Sequence, residues 1–166
     1  MKNHGPVFAL LAQSTPNAEI LTRDETLAQW VPVFVPVCYK ENLACLCGHM
    51  PKWGYMLTPR FSTGENFGII GKECLRGLYP EITEDHLALG RLMYSLEHDG
   101  QAHMRKKDGC TDGALELAIR LGMLSRADVD MLKDIRSFRH VPRPLLADCR
   151  TLVHKMLTWP LTLRKI

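Results

Sequence analysis

Three cysteines set the tightest limit on how this chain can fold. Cys45 and Cys47 stand one residue apart in Cys45-Leu46-Cys47-Gly48-His49, and Cys74 follows in Gly71-Lys72-Glu73-Cys74. A C-x-C pair beside a glycine and a histidine makes a tight turn with soft donors on one side. For Cys74 to join that turn, the chain between must double back, and its composition predicts that it does. Residues 52–61 and 65–70 are rich in aromatic and β-branched residues and are joined by Ser62-Thr63-Gly64, the pattern of a hairpin with a short glycine-containing loop. A helix expected from Lys72 to about Leu78 puts Cys74 in a first helical turn, where the helix N-terminus favours a thiolate.

Zinc takes four such ligands in a tetrahedron. Cys45, Cys47 and Cys74 supply three. His49 is favoured as the fourth, and Cys38, from the preceding extended segment, would instead complete an all-thiolate set. The plainer alternative is three reduced thiols in a core with a surface histidine. The six cysteines are an even number, but a C-x-C beside a histidine favours metal over a disulfide framework. Cys149 falls on an apolar helical face and reads as a buried thiol.

Cys45, Cys47, Gly48, His49, Thr63, Gly64, Ile70, Gly71 and Cys74 together resemble small zinc-ribbon-like modules of bacterial and phage proteins: C-x-C-G-H, a hairpin, T-G, then I-G-x-x-C. The resemblance covers residues 45–74 of the 166. It implies a structural zinc site, often in proteins that touch nucleic acids or other proteins.

Around this region the pattern is mixed. Thr22-Arg23-Asp24-Glu25 has the form of a capping box and predicts a short helix to about Trp30. Residues 31–40, VPVFVPVCYK, alternate but carry two prolines, which confines them to an edge strand or an extended segment. From Thr83 the period becomes helical. Leu87, Leu89, Leu92, Met93 and Leu96 mark one helix ending at Gly100. A polar loop, residues 98–113, precedes a second helix from Ala114 to Leu121. Ser125 caps a third helix running to about Arg139, and Pro144 opens a last one that buries Leu145, Leu146, Cys149, Leu152, Val153, Met156 and Leu157. Strands first and helices after predict an α+β fold, with a zinc-binding β-containing module over 1–80 and a four-helix module over 81–166, packed together as one domain.

Charge is uneven. Residues 131–166 hold eight Lys/Arg against two acids, a balance of +6; since the whole chain is +3, the other 130 residues carry −3. Arg136, Arg139, Arg143, Arg150 and Lys155 are the candidates for a basic face that meets nucleic acid or an acidic protein complex, with Trp159 placed to stack on a base. A solvated helix surface is the alternative. Residues 117–140 also resemble, more faintly, the paired helices of HEPN-like and mannitol-repressor-like proteins. That implies a ribonuclease pairing of Arg136 and Ser137 with His140, although the Arg–His interval is shorter than that family's.

His98, His103 and Cys110 are weaker candidates for a second metal, and Trp53, Tyr55 and Phe61 for either core or an assembly face. The apolar run Val7–Ala12 is short for an export signal, and no run is long enough to span a bilayer, so the expected location is cytoplasmic. No Walker loop, G-x-G-x-x-G or G-x-S-x-G occurs, and no small-molecule substrate is evident. The expectation is a zinc-stabilised, non-enzymatic binding protein, of the kind phages or plasmids use to inhibit a host nucleic-acid complex; a HEPN-like or metal-dependent nuclease and a structural or assembly protein are the alternatives.

Overall fold

The computed structural model describes residues 5–39, 43–61, 65–99, 109–137 and 143–157. They mix helices with one antiparallel sheet, an α+β fold, in two compact units, Met1–Thr83 and Glu84–Arg164.

The first unit opens with helix α1 (Gly5–Gln13), which buries Val7 and Leu11, so the apolar run near the start is a packed helix. A 3-10 turn (Ala18–Ile20) leads to α2 (Arg23–Ala28). The capping box before α2 is present: Thr22 N–H donates to Glu25 Oε2 at 2.7 Å, and Glu25 N–H to Thr22 Oγ1 at 3.3 Å. Strands β1 (Trp30–Tyr39), β2 (Trp53–Pro59) and β3 (Phe67–Gly71) follow, in the order β1-β2-β3, both pairs antiparallel.

The proline-bearing segment is therefore an edge strand. Between Val33 and Cys38 its register slips against β2, whose partners move only from Met56 to Gly54. The slack is a bulge containing Pro36, which cannot donate to a ladder. β2, in the middle, buries Tyr55 and Leu57 completely. β3 runs without a break into α3 (Lys72–Leu78), which buries Cys74, Leu75 and Leu78.

The second unit contains α4 (Glu84–Asp99), α5 (Asp112–Arg120), α6 (Arg126–Ile135), a 3-10 turn (Arg143–Leu145) and α7 (Leu146–Leu157). Leu87, Leu89, Leu92 and Met93 of α4, Leu115 and Ala118 of α5, and Val129, Leu132 and Ile135 of α6 are buried. In α7, Leu152 and Met156 of the expected stripe are buried; the side chains of Leu146, Cys149, Val153 and Leu157 lie outside the described ones.

Three boundaries differ from expectation. The last helix begins at Leu146 rather than Pro144, which lies with the half-buried Leu145 in the preceding 3-10 turn. α5 begins at Asp112 rather than Ala114, because Thr111 is its N-cap and takes the Ala114 N–H at 3.2 Å. α6 ends at Ile135, short of Arg139. Ser137 N–H donates to the Asp134 carbonyl and its hydroxyl donates to the same oxygen at 2.6 Å, a tighter turn that closes the helix.

Gly122 ends α5 as expected, at φ +70, with Gly122 N–H bonded to Ile119 O and Met123 N–H to Ala118 O. Those two bonds form a Schellman closure. Gly109 has a steric role, since a Cβ there would lie 2.0 Å from the Ala88 carbonyl oxygen of α4. Among the described residues no helix is long and apolar enough to cross a membrane.

Candidate metal centre

The C-x-C-G-H segment folds as a self-closed turn. Cys45 N–H donates to the His49 carbonyl and Gly48 N–H to the Cys45 carbonyl, both at 2.7 Å, with Gly48 at φ +87. Glycine reaches that left-handed conformation without the clash a side chain brings. The turn is then pinned to β3: Leu46 N–H donates to the Ile69 carbonyl at 3.0 Å. Leu46 also lies over Gly68, whose φ is +56 and where a Cβ would come within 2.3 Å of Leu46 Cδ1.

This docking brings the sulfurs together. Cys45 sits against the β3–α3 junction, where Gly71 N–H donates to its Sγ at 3.2 Å. Cys74, in the first turn of α3, comes to the same point. The Sγ atoms of Cys45, Cys47 and Cys74 all lie within 4.8 Å of one another, with Cys45 and Cys47 only 3.3 Å apart. A zinc tetrahedron with bonds of about 2.3 Å has sulfur–sulfur edges of about 3.8 Å, so the trio is of a size one ion can bridge. Cys45 and Cys74 are 3% and 7% exposed and Cys47 is half-buried. Among the described residues this is the one such group of metal-ligating side chains.

The charge of the trio fits a cation at its centre. Burial works against ionisation of Cys47, but the His49 backbone amide, the Cys45 thiol, the His49 ring and the Cys74 thiol outweigh it and bring its pKa down to about 6. Cys74 moves the other way, to about 12, through burial and the neighbouring Cys47 and Cys45 sulfurs. One thiolate thus suppresses the next, the expected result for like charges sharing one site. A divalent cation among them would remove that conflict, and ligating thiols are deprotonated on binding. The amide donors of Gly71 and His49 are the kind of outer-shell partners that orient sulfur ligands.

Of the two candidates for a fourth ligand, His49 is exposed and its Nδ1 lies 3.4 Å from Cys47 Sγ. Neither of its ring nitrogens lies within 4.8 Å of all three sulfurs. Cys38 has its backbone in β1 opposite Gly54, which in turn pairs with Gly71; its side chain lies outside the described ones.

Two of the basic candidates, Arg136 and Lys155, have internal partners. Arg136 is 15% exposed and holds α5 to α6, donating to Asp112 Oδ1 at 2.6 Å and to the Cys110 carbonyl at 3.3 Å. Lys155 pairs with Asp128, which also belongs to the capping box of α6. Arg150 is exposed on α7. Arg143 lies in the 3-10 turn, its side chain outside the described ones, and Arg139, His140 and Trp159 fall outside the described residues altogether.

Cys110 is fully buried; His103, with the His98 side chain, is also outside the described set. Tyr55 is core, whereas Phe61 is exposed. Sequence reasoning missed the contributions of Leu46, Gly68 and the Gly71 amide. The two glycines in Phe67-Gly68-Ile69-Ile70-Gly71 were their only sequence signal. No protein-family model, curated protein or solved structure matches the chain.

Proposed function

We propose that this chain is a zinc-stabilised, non-enzymatic binding protein. The supporting observation is the convergence of Cys45, Cys47 and Cys74 from a pinned turn and a helix start onto one buried point. Zinc suits thiolate and imidazole donors and has no redox chemistry of its own, so it serves to tie the turn to the hairpin and α3. His49 is the preferred fourth ligand, because its Nδ1 already stands about one tetrahedral edge from Cys47 and the same turn fixes its backbone.

The partner we assign is anionic, either nucleic acid or an acidic protein. What supports this is the +6 balance of residues 131–166. With Arg136 and Lys155 engaged in internal pairs, Arg150, exposed on α7, is the described candidate of this stretch left to reach such a partner. The test is binding of the metal-loaded chain to single- and double-stranded DNA and RNA across a salt series. The reading predicts affinity that falls steeply with salt and a log–log slope reduced by about one in Arg150→Ala. A flat salt response would remove nucleic acid as the partner.

A further inference from the structure

A cleft of about 620 Å³ opens in the first unit, with Trp30, Phe61, Phe67, Pro16, Pro59 and Glu65 in its lining. Its size lies within the roughly 300–1,000 Å³ of small-molecule sites. Trp30 and Phe67 have ring centroids 5.6 Å apart and planes tilted by 55°; Trp30 is only 6% exposed and forms the back wall, so the half-buried Phe67 and the exposed Phe61 are the rings a ligand would chiefly meet.

The tryptophan wall is locked in place. Trp30 Nε1–H donates to Thr15 Oγ1 and the Thr15 hydroxyl donates to the Leu11 carbonyl, both at 2.8 Å and both buried. Phe61 stands at the rim with 77% of its surface exposed. The remaining described lining side chains, Ser14, Gln29 and Asn66, are uncharged. Glu65 is therefore the one acidic side chain among the described lining residues, and none of them is basic.

From this combination we infer that the cleft binds a small organic cation with an apolar body, of the alkylated ammonium class. Aromatic faces carry partial negative charge and attract a cation set over them, and Glu65 supplies a full counter-charge. Alkyl groups on the nitrogen bury apolar surface against the prolines and rings. An anion of the same size would meet the carboxylate and the ring faces, both repulsive. This inference does not use the metal centre and stands or falls apart from it.

The test uses choline and its neutral carbon isostere, 3,3-dimethylbutan-1-ol, titrated into the full chain while the Trp30 indole N–H resonance is followed by NMR. Choline should give saturable shifts, with the isostere at least about fivefold weaker. Phe61→Ala should weaken choline about fivefold and Glu65→Gln about threefold. Both residues are exposed, so an otherwise unchanged spectrum verifies that each variant is folded. Equal binding of the two probes, choline affinity untouched in both folded variants, or no saturable shift would each overturn the proposal. Markedly tighter binding of a trimethyllysine peptide than of choline would overturn the small-molecule source in favour of a protein one.

Discussion

The two units reach order by different means. In the second, α5 and α6 carry their own local signals, Thr111 and Ser125 as N-caps and the Gly122 closure, and apolar stripes meet in a core. Remove any one and the neighbouring signals still specify the helices. In the first, the turn at Cys45–His49 and the start of α3 are far apart along the chain and meet through a few atoms: three sulfurs, the Gly71 amide and Leu46 on Gly68. Distributed local signals tolerate loss; a single point of convergence concentrates it.

That contrast is broken most directly at Cys74. Cys74→Ser should abolish stoichiometric metal and cost the first unit on the order of 5 kcal/mol, part of what a structural zinc site contributes. Amide exchange should show protection lost in β2, β3 and α3 but kept in α4, α5 and α6. Uniform loss across both units would mean that the sulfur cluster does not act locally.

Gly68→Ala comes next. It forces a Cβ to 2.3 Å from Leu46 Cδ1 at a φ of +56, and should cost about 1–3 kcal/mol in urea unfolding of the first unit. Metal affinity should fall with it, since Leu46 sits between the two cysteines of the turn.

For the second unit, Arg136→Ala removes the clamp onto Asp112 and the Cys110 carbonyl, and should cost about 1–2 kcal/mol, read from the same denaturant series. The smallest effect concerns Asp128. Burial opposes its ionisation, but Lys155 and the Ser125 backbone and side chain outweigh this and lower its pKa. A carboxyl whose folded-state pKa lies below its unfolded value adds stability above about pH 4 and loses it as pH falls through the lower folded value. The loss should be under about 1 kcal/mol for so exposed a pair, and Asp128→Asn should flatten it in acid titrations of α6 unfolding.

The same contrast explains what could be read in advance. Helix starts at Thr22 and Ser125, the hairpin strands and the edge character of the Pro32 and Pro36 segment were legible because each depends on adjacent residues. The C-x-C pair and Cys74 could be singled out by type and spacing. How they meet could not, because the Leu46 N–H to Ile69 bond and the Gly71 N–H to sulfur bond use backbone groups that every residue carries. The partner of Arg136 was hidden for a related reason. Its charge is visible in sequence, while its use against Asp112 depends on the packing of α5 against α6. α1 was missed because Val7–Ala12 is too short a run to show a helical period by itself.

The account of the metal centre comes down to whether one ion sits among the three sulfurs. X-ray absorption at the zinc edge, on protein purified without added metal and assayed for content, reads this directly. The account predicts one zinc per chain with three sulfur neighbours at about 2.3 Å and one nitrogen at about 2.0–2.1 Å. Metal-free protein with an intact β2–β3–α3 segment, or zinc surrounded by nitrogen and oxygen alone, would contradict it.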